Sequence, residues 1–212
     1  MPVYLIIEFI CLFTGLILFK ANLKTKTGRL ILFYVAVSVI TDFIGYLIAV
    51  IYKTENGILF NFYDVFKYLF LFSFFRFQLN SLNNYLFSTG LILYIVSLCY
   101  DISILQSPHD LMIYSTITGD LMLVFISLSF FRQLLLKPEF ENVLFVPDFW
   151  VSIAVLIYFL GVLPYHLSWK FLVFKNVDAS GKLYVILLAI LIALHYLAFT
   201  VSFLLWKFQR KI

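Results

Sequence analysis

Between His109-Asp110 and Arg132 the chain runs LMIYSTITGDLMLVFISLSFF, Leu111 to Phe131, 21 residues with Asp120 as their only charge. A helix rises about 1.5 Å per residue, so roughly 20 apolar residues cover the hydrocarbon core of a bilayer. A carboxylate near the middle of such a span costs about 2.5–3.5 kcal/mol on insertion scales, so Asp120 is predicted to face the protein interior and to have a partner there. A soluble fold has no use for this stretch. The question it raises is what the partner is.

The rest of the chain has the same character. Hydrophobic residues make up 64% of the 212, charged residues 12%, and the mean hydropathy is +1.04. Charged residues alone are about a quarter of ordinary globular composition, so a soluble domain is excluded. The reading is an all-α polytopic membrane bundle, residues 1–212 forming one transmembrane domain with no soluble domain left over. Phenylalanine accounts for 26 residues, which suits lipid-facing surfaces. Cys11 and Cys99 fall in separate apolar spans and read as packing residues, not as a disulfide, metal pair or nucleophile.

Polar punctuation predicts seven spans, at about 3–19, 30–52, 60–79, 85–105, 111–131, 149–165 and 183–206. The first lacks a basic leader and a small-residue cleavage site, which argues against a removed signal peptide. Basic residues set the orientation. With the N-terminus outside, the inner segments hold Lys20, Lys24, Lys26, Arg29, Arg76, Arg132, Lys137, Lys207, Arg210 and Lys211, ten in all. The outer ones hold Lys53, Lys170, Lys175 and Lys182, so the positive-inside rule places the N-terminus outside and the C-terminus inside. The formal charge of +4 therefore reflects topology and not a nucleic-acid partner. The outer loop 165–182 carries three of those lysines, and its WKFLVF core reads as an interfacial segment. No internal repeat is visible in the letters.

The chemistry lies in the ionisable groups within the spans. Counted from the outer ends, Glu8 and Lys67 are about five to seven residues deep, and Asp42, Asp120 and His195 about ten to twelve. Asp42 shares a helix face with Ser38, Gly45 and Ala49, Asp120 with Thr116 and Ser127, and His195 with Ala198 and Ser202. Stripes of small and polar residues let helices approach and hydrogen-bond, so these faces are predicted to point inward. The expected site is an Asp42–His195–Asp120 group with Lys67 above it, acting as a proton relay, cation site or ligand cradle. Each candidate has a plainer reading. Lys67 has Asp64 one turn away as a local partner, and Glu8 is placed near the outer boundary, within reach of water. Asp101, His109, Asp110 and His166 read as solvated rim residues, with no metal-ligand spacing among them.

Several activities are excluded by missing residues. The last span has no lysine to carry retinal, no HxxxH pair for zinc, no Gly-x-Ser serine-protease context and no second mid-span histidine for haem. A Gly-rich phosphate loop is absent too. The expectation is a non-enzyme without cofactor or metal. The runs NFYDVFKYLFLF and DFWVSIAVLIYFLGVLP and the basic tail KFQRKI resemble a family of small bacterial seven-helix membrane proteins with no established activity. The resemblance implies residence in a bacterial inner membrane, and it departs from the family at Lys67, where a glutamate is common. Two functions follow as expectations. One is a small transporter, channel or sensor built on Asp42, Asp120, His195, Lys67 and Glu8. The other is a membrane accessory or effector subunit, for instance of a bacterial defence system, acting through a protein partner or as a homo-oligomeric pore.

Overall fold

The computed structural model describes residues 2–18, 25–79, 84–105, 107, 110–136, 142–174 and 182–208. They form seven α-helices: α1 Val3–Ile17, α2 Lys26–Leu47, α3 Gly57–Gln78, α4 Asn84–Ile104, α5 Ile113–Leu135, α6 Pro147–Phe174 and α7 Lys182–Phe208. A π-helical turn, Ile48–Tyr52, extends α2, and a 3₁₀ turn, Val143–Phe145, precedes α6. Six of the helices, α2 to α7, are long and apolar enough to cross a membrane, while α1 has 15 residues and is shorter. His109, residues 20–24 of the loop 20–29 and the end of the tail lie outside the described residues.

Helix ends are closed by local groups in some places and by neighbouring helices in others. Thr25 accepts the Gly28 N–H at 3.0 Å as the N-cap of α2. The α2 extension ends at Lys53, whose φ of 50° turns the chain toward α3. The N-terminus of α5 is closed by its neighbour: Asp101 of α4 accepts the Ser115 N–H and Oγ–H, each at 2.6 Å, and the Tyr114 N–H at 3.3 Å. A carboxylate is well placed there, because the first-turn N–H groups are unpaired and carry the positive end of the helix dipole. Asp101 is thus a buried cap and not the solvated rim residue its position suggests. Similarly, Gln133 donates to the carbonyl of Gln78 at 2.9 Å and satisfies the C-terminal end of α3.

Six helices close into a ring. Going round, α1 packs on α2, α2 on α3, α3 on α5, α5 on α6, α6 on α7, and α7 back on α1. Helix α4 stands outside, docked mainly on α5, and Ile92, Leu93, Ile95, Val96 and Ile102 stay exposed on it. Much of the ring's interior is filled by aromatic side chains. Phe72, Phe75, Phe130, Phe159, Phe199 and Phe203 are buried, so phenylalanine builds the core as well as the lipid-facing surface. Helix α6 runs through Pro164 to Phe174, which makes Tyr165–Phe174 a continuation of the helix and not a separate interfacial segment. Proline at 164 leaves the carbonyl of Leu160 without its helical donor, a defect that bundled membrane helices accommodate.

One glycine is required by close packing. A Cβ on Gly119 would lie 2.5 Å from Cε1 of Tyr68, and that ring is held by its own hydroxyl bond to α5. Gly119→Ala is expected to lower stability by about 1–3 kcal/mol through overpacking. A lowered Tm of the detergent-purified protein would show this, and an unchanged Tm would mean the ring can retreat.

Candidate functional site

A cavity of about 300 Å³ lies inside the ring, in the half nearest the starts of α3, α5 and α7. Its polar wall comes from α2 (Ser38, Asp42), α3 (Tyr63, Asp64, Lys67), α6 (Tyr158, His166) and α7 (Tyr184, His195, Tyr196). Cavities of this size take small ligands, and a few convergent polar groups on a largely apolar wall are their usual signature. A smaller void of about 50 Å³ adjoins it and shares Asp64, Leu111, His166 and Tyr184.

Lys67 is the cation in the cavity wall. Its Nζ lies 2.6 Å from Asp64 Oδ1, a pair one helical turn apart on α3. The ammonium also sits 4.9 Å from the centroid of the Tyr68 ring and 5.8 Å from that of Phe159, within cation–π range. Lys67 is 8% exposed, so it does not snorkel to the boundary. The local Asp64 pairing and the inward position hold together, since one side chain satisfies both.

Asp120 is fully buried behind the cavity wall. Tyr68 donates its hydroxyl to Asp120 Oδ1 at 2.6 Å, and His166 Nδ1 lies 2.7 Å from Oδ2. The predicted partner is therefore found, but it is His166 and not His195. The continuation of α6 past Tyr165 explains this, because it carries His166 inward against α5 where a loop would have left it in solvent. Asp120 is not in the lining, and His166 stands between it and the cavity. A carboxylate bonded to one ring nitrogen fixes the imidazole's orientation and leaves the other nitrogen for exchange.

His195 has a different environment. Its Nδ1 is 2.9 Å from the carbonyl of Ala154, which can only accept, so Nδ1 carries a hydrogen, and in the neutral imidazole Nε2 is the acceptor. The imidazole packs edge-on against Phe199 and Tyr196 and tilted against Tyr158, with centroids 4.4, 5.4 and 5.1 Å away. Beside it a hydroxyl chain crosses the ring of helices: Tyr196 of α7 donates to Ser38 of α2, which bonds Tyr63 of α3. The expected Asp42–His195–Asp120 group is thus divided in two. Asp42 and His195 line the cavity, and Asp120 belongs to the Tyr68–His166 network.

Glu8 is also placed differently from its expected boundary position. It is 0% exposed on α1, and its carboxyl faces that of Asp42. Sequence reasoning passed over Tyr63, Tyr68, Tyr158, Tyr184 and Tyr196, which supply much of the polar surface here. Tyrosines at 63 and 68, flanking Asp64 and Lys67, were the available signal. Among the described residues no group of three or more His, Cys, Asp or Glu is arranged to hold a metal ion. Cys11 is buried and Cys99 exposed, and neither is in the cavity lining.

Six apolar helices of membrane length, five of them closing with the shorter α1 into a ring about a polar cavity, define a multi-pass helical membrane protein. No protein-family model matches the chain, and neither curated proteins nor solved structures give a match.

Asp120→Ala is expected to cost about 1–3 kcal/mol, because it removes the bonds to Tyr68 and His166 and leaves the Tyr68 hydroxyl only the carbonyl of Thr116 at 3.2 Å. The Asp120→Ala, His166→Ala double variant should lose less than the sum of the two single losses, because the residues share one bond. Unfolding free energies of the three proteins measure this coupling, and strict additivity would rule it out.

Proposed function

We propose that the protein binds a small polar solute in the central cavity, as a carrier or a sensor in the membrane. The observation that carries this reading is the cavity itself. In a ring packed elsewhere by aromatic side chains, about 300 Å³ is left open beside a lysine, two aspartates, two histidines and several tyrosine hydroxyls. A bundle that used its charges only to pair helices would close that space, since voids forfeit packing energy. Work through a protein partner needs no such space either, which ranks the accessory or effector role second.

The lining suggests a solute bearing both hydrogen-bonding and charged groups. Lys67 offers a cation to one end, and Asp42 an anion to another, with tyrosine faces between. The positive-inside rule orients the solute path. Lys26, Arg29, Arg76, Arg132 and Lys207 lie at the end of the bundle away from the cavity, and Lys53 and Lys182 near it. The cavity is then on the outer side, with the N-terminus outside.

A thermal-shift screen of the purified protein with amino acids, small amines and sugars tests the reading. A solute at 100 times its Kd stabilises by about 2.7 kcal/mol, which is readily seen in a melt. Leu188→Trp places a large ring in the cavity wall and is expected to abolish the shift while the protein still melts cooperatively. Asp42→Asn should weaken it. If Leu188→Trp leaves the shift intact, the solute binds elsewhere, and the cavity reading fails.

A further inference from the structure

The packing of α1 raises a second question, because it brings an acid against an acid. Phe9 of α1 and Phe43 of α2 meet edge to face with centroids 6.0 Å apart, which sets Glu8 and Asp42, the residues before them, at one level. The two carboxyls face each other. Glu8 is fully enclosed, and among the described residues no donor reaches either of its carboxyl oxygens. Asp42 is half-buried and lines the cavity.

The neighbouring groups do not supply a counter-charge. Tyr4 and Cys11 are nearby on α1, and Tyr196 approaches from α7; all three are neutral donors. From α3 the field of Lys67 reaches Asp42, but its ammonium is bonded to Asp64, which adds an opposing negative charge. Two carboxylates sharing a dry site do not both stay ionised. A metal cation would need about six oxygen ligands, and the pair supplies fewer. A proton needs only one oxygen from each.

We propose that Glu8 and Asp42 form a single-proton site in the cavity wall, with Glu8 holding the proton and donating it to Asp42. Glu8 is the holder because protein encloses it, whereas Asp42 borders the cavity, where water solvates its charge. Loading breaks one O–H bond of a cavity hydronium and forms one at Asp42; the proton then passes to Glu8. The pair changes from two negative charges to one, and nothing else is consumed. Asp42 is the exchanging face, so occupancy of the site sets the charge that a solute in the cavity meets.

Infrared spectroscopy of the full chain in lipid nanodiscs at neutral pH tests this without any solute. The expected spectrum has a protonated-carboxyl C=O band that moves when glutamate carboxyls are isotopically labelled and shifts in heavy water. Glu8→Gln should remove it with the thermal melt still cooperative. Absence of the band, insensitivity to glutamate labelling, or survival in folded Glu8→Gln overturns the proposal. Should the variant fail to fold, labelling of the unmutated protein decides alone. A failed solute screen leaves this result standing, and failure here leaves the solute reading standing.

Discussion

Charge inside a membrane bundle has to be answered locally, because hydrocarbon offers neither water nor counterions. That constraint accounts for most of the polar structure here. Lys67 is answered by Asp64 within one helix, and Asp120 by Tyr68 and His166 across three. Asp101 is answered by the open N-terminus of α5. Each answer also fixes a helix in place. The Asp120 bonds hold α3 and α6 against α5, and the Asp101 bonds attach the outlying α4 to the ring. Glu8 and Asp42 answer one another, which two acids do only by sharing a proton.

The ring geometry explains how a polar cavity and an aromatic core coexist. On the far side, Phe72, Phe75, Phe130 and Phe203 fill the interior. Nearer the starts of α3, α5 and α7, tyrosines replace phenylalanines. A tyrosine brings the same ring with a hydroxyl, so the wall can stay tightly packed behind and polar in front. The chain Tyr196–Ser38–Tyr63 shows the result, three hydroxyls from three helices bonded in sequence along the lining. Such a wall is preorganised, because its hydroxyls already hold one another in place.

Much of the fold was legible. Helix class, the approximate bounds of the six membrane-length helices and the inward faces of Asp42 and Asp120 follow from hydropathy and from the cost of a charge in hydrocarbon. The Lys67–Asp64 pair was legible too, since both residues are on one helix a turn apart. Errors gathered where partners come from different helices. The length of α6 was misjudged because Tyr165–Phe174 carries His166 and Lys170, polar enough to look like a loop. With that misjudged, His166 could not be seen as the partner of Asp120. Glu8 looked peripheral by depth alone, and the packing of α1 against α2 and α7 encloses it.

By itself the sequence determined the solvent, and the solvent dictated helices whose backbone bonds close within each segment. It also determined that the few ionisable residues must turn inward. The tertiary structure decided how they are shared: Asp120 with His166, Asp42 with Glu8, His195 with a carbonyl. It decided as well that α4 stays outside the ring and that a cavity remains within it. The reason is that depth and face are properties of one helix, readable from a period of 3.6, whereas pairing depends on which helices are neighbours and at what rotation.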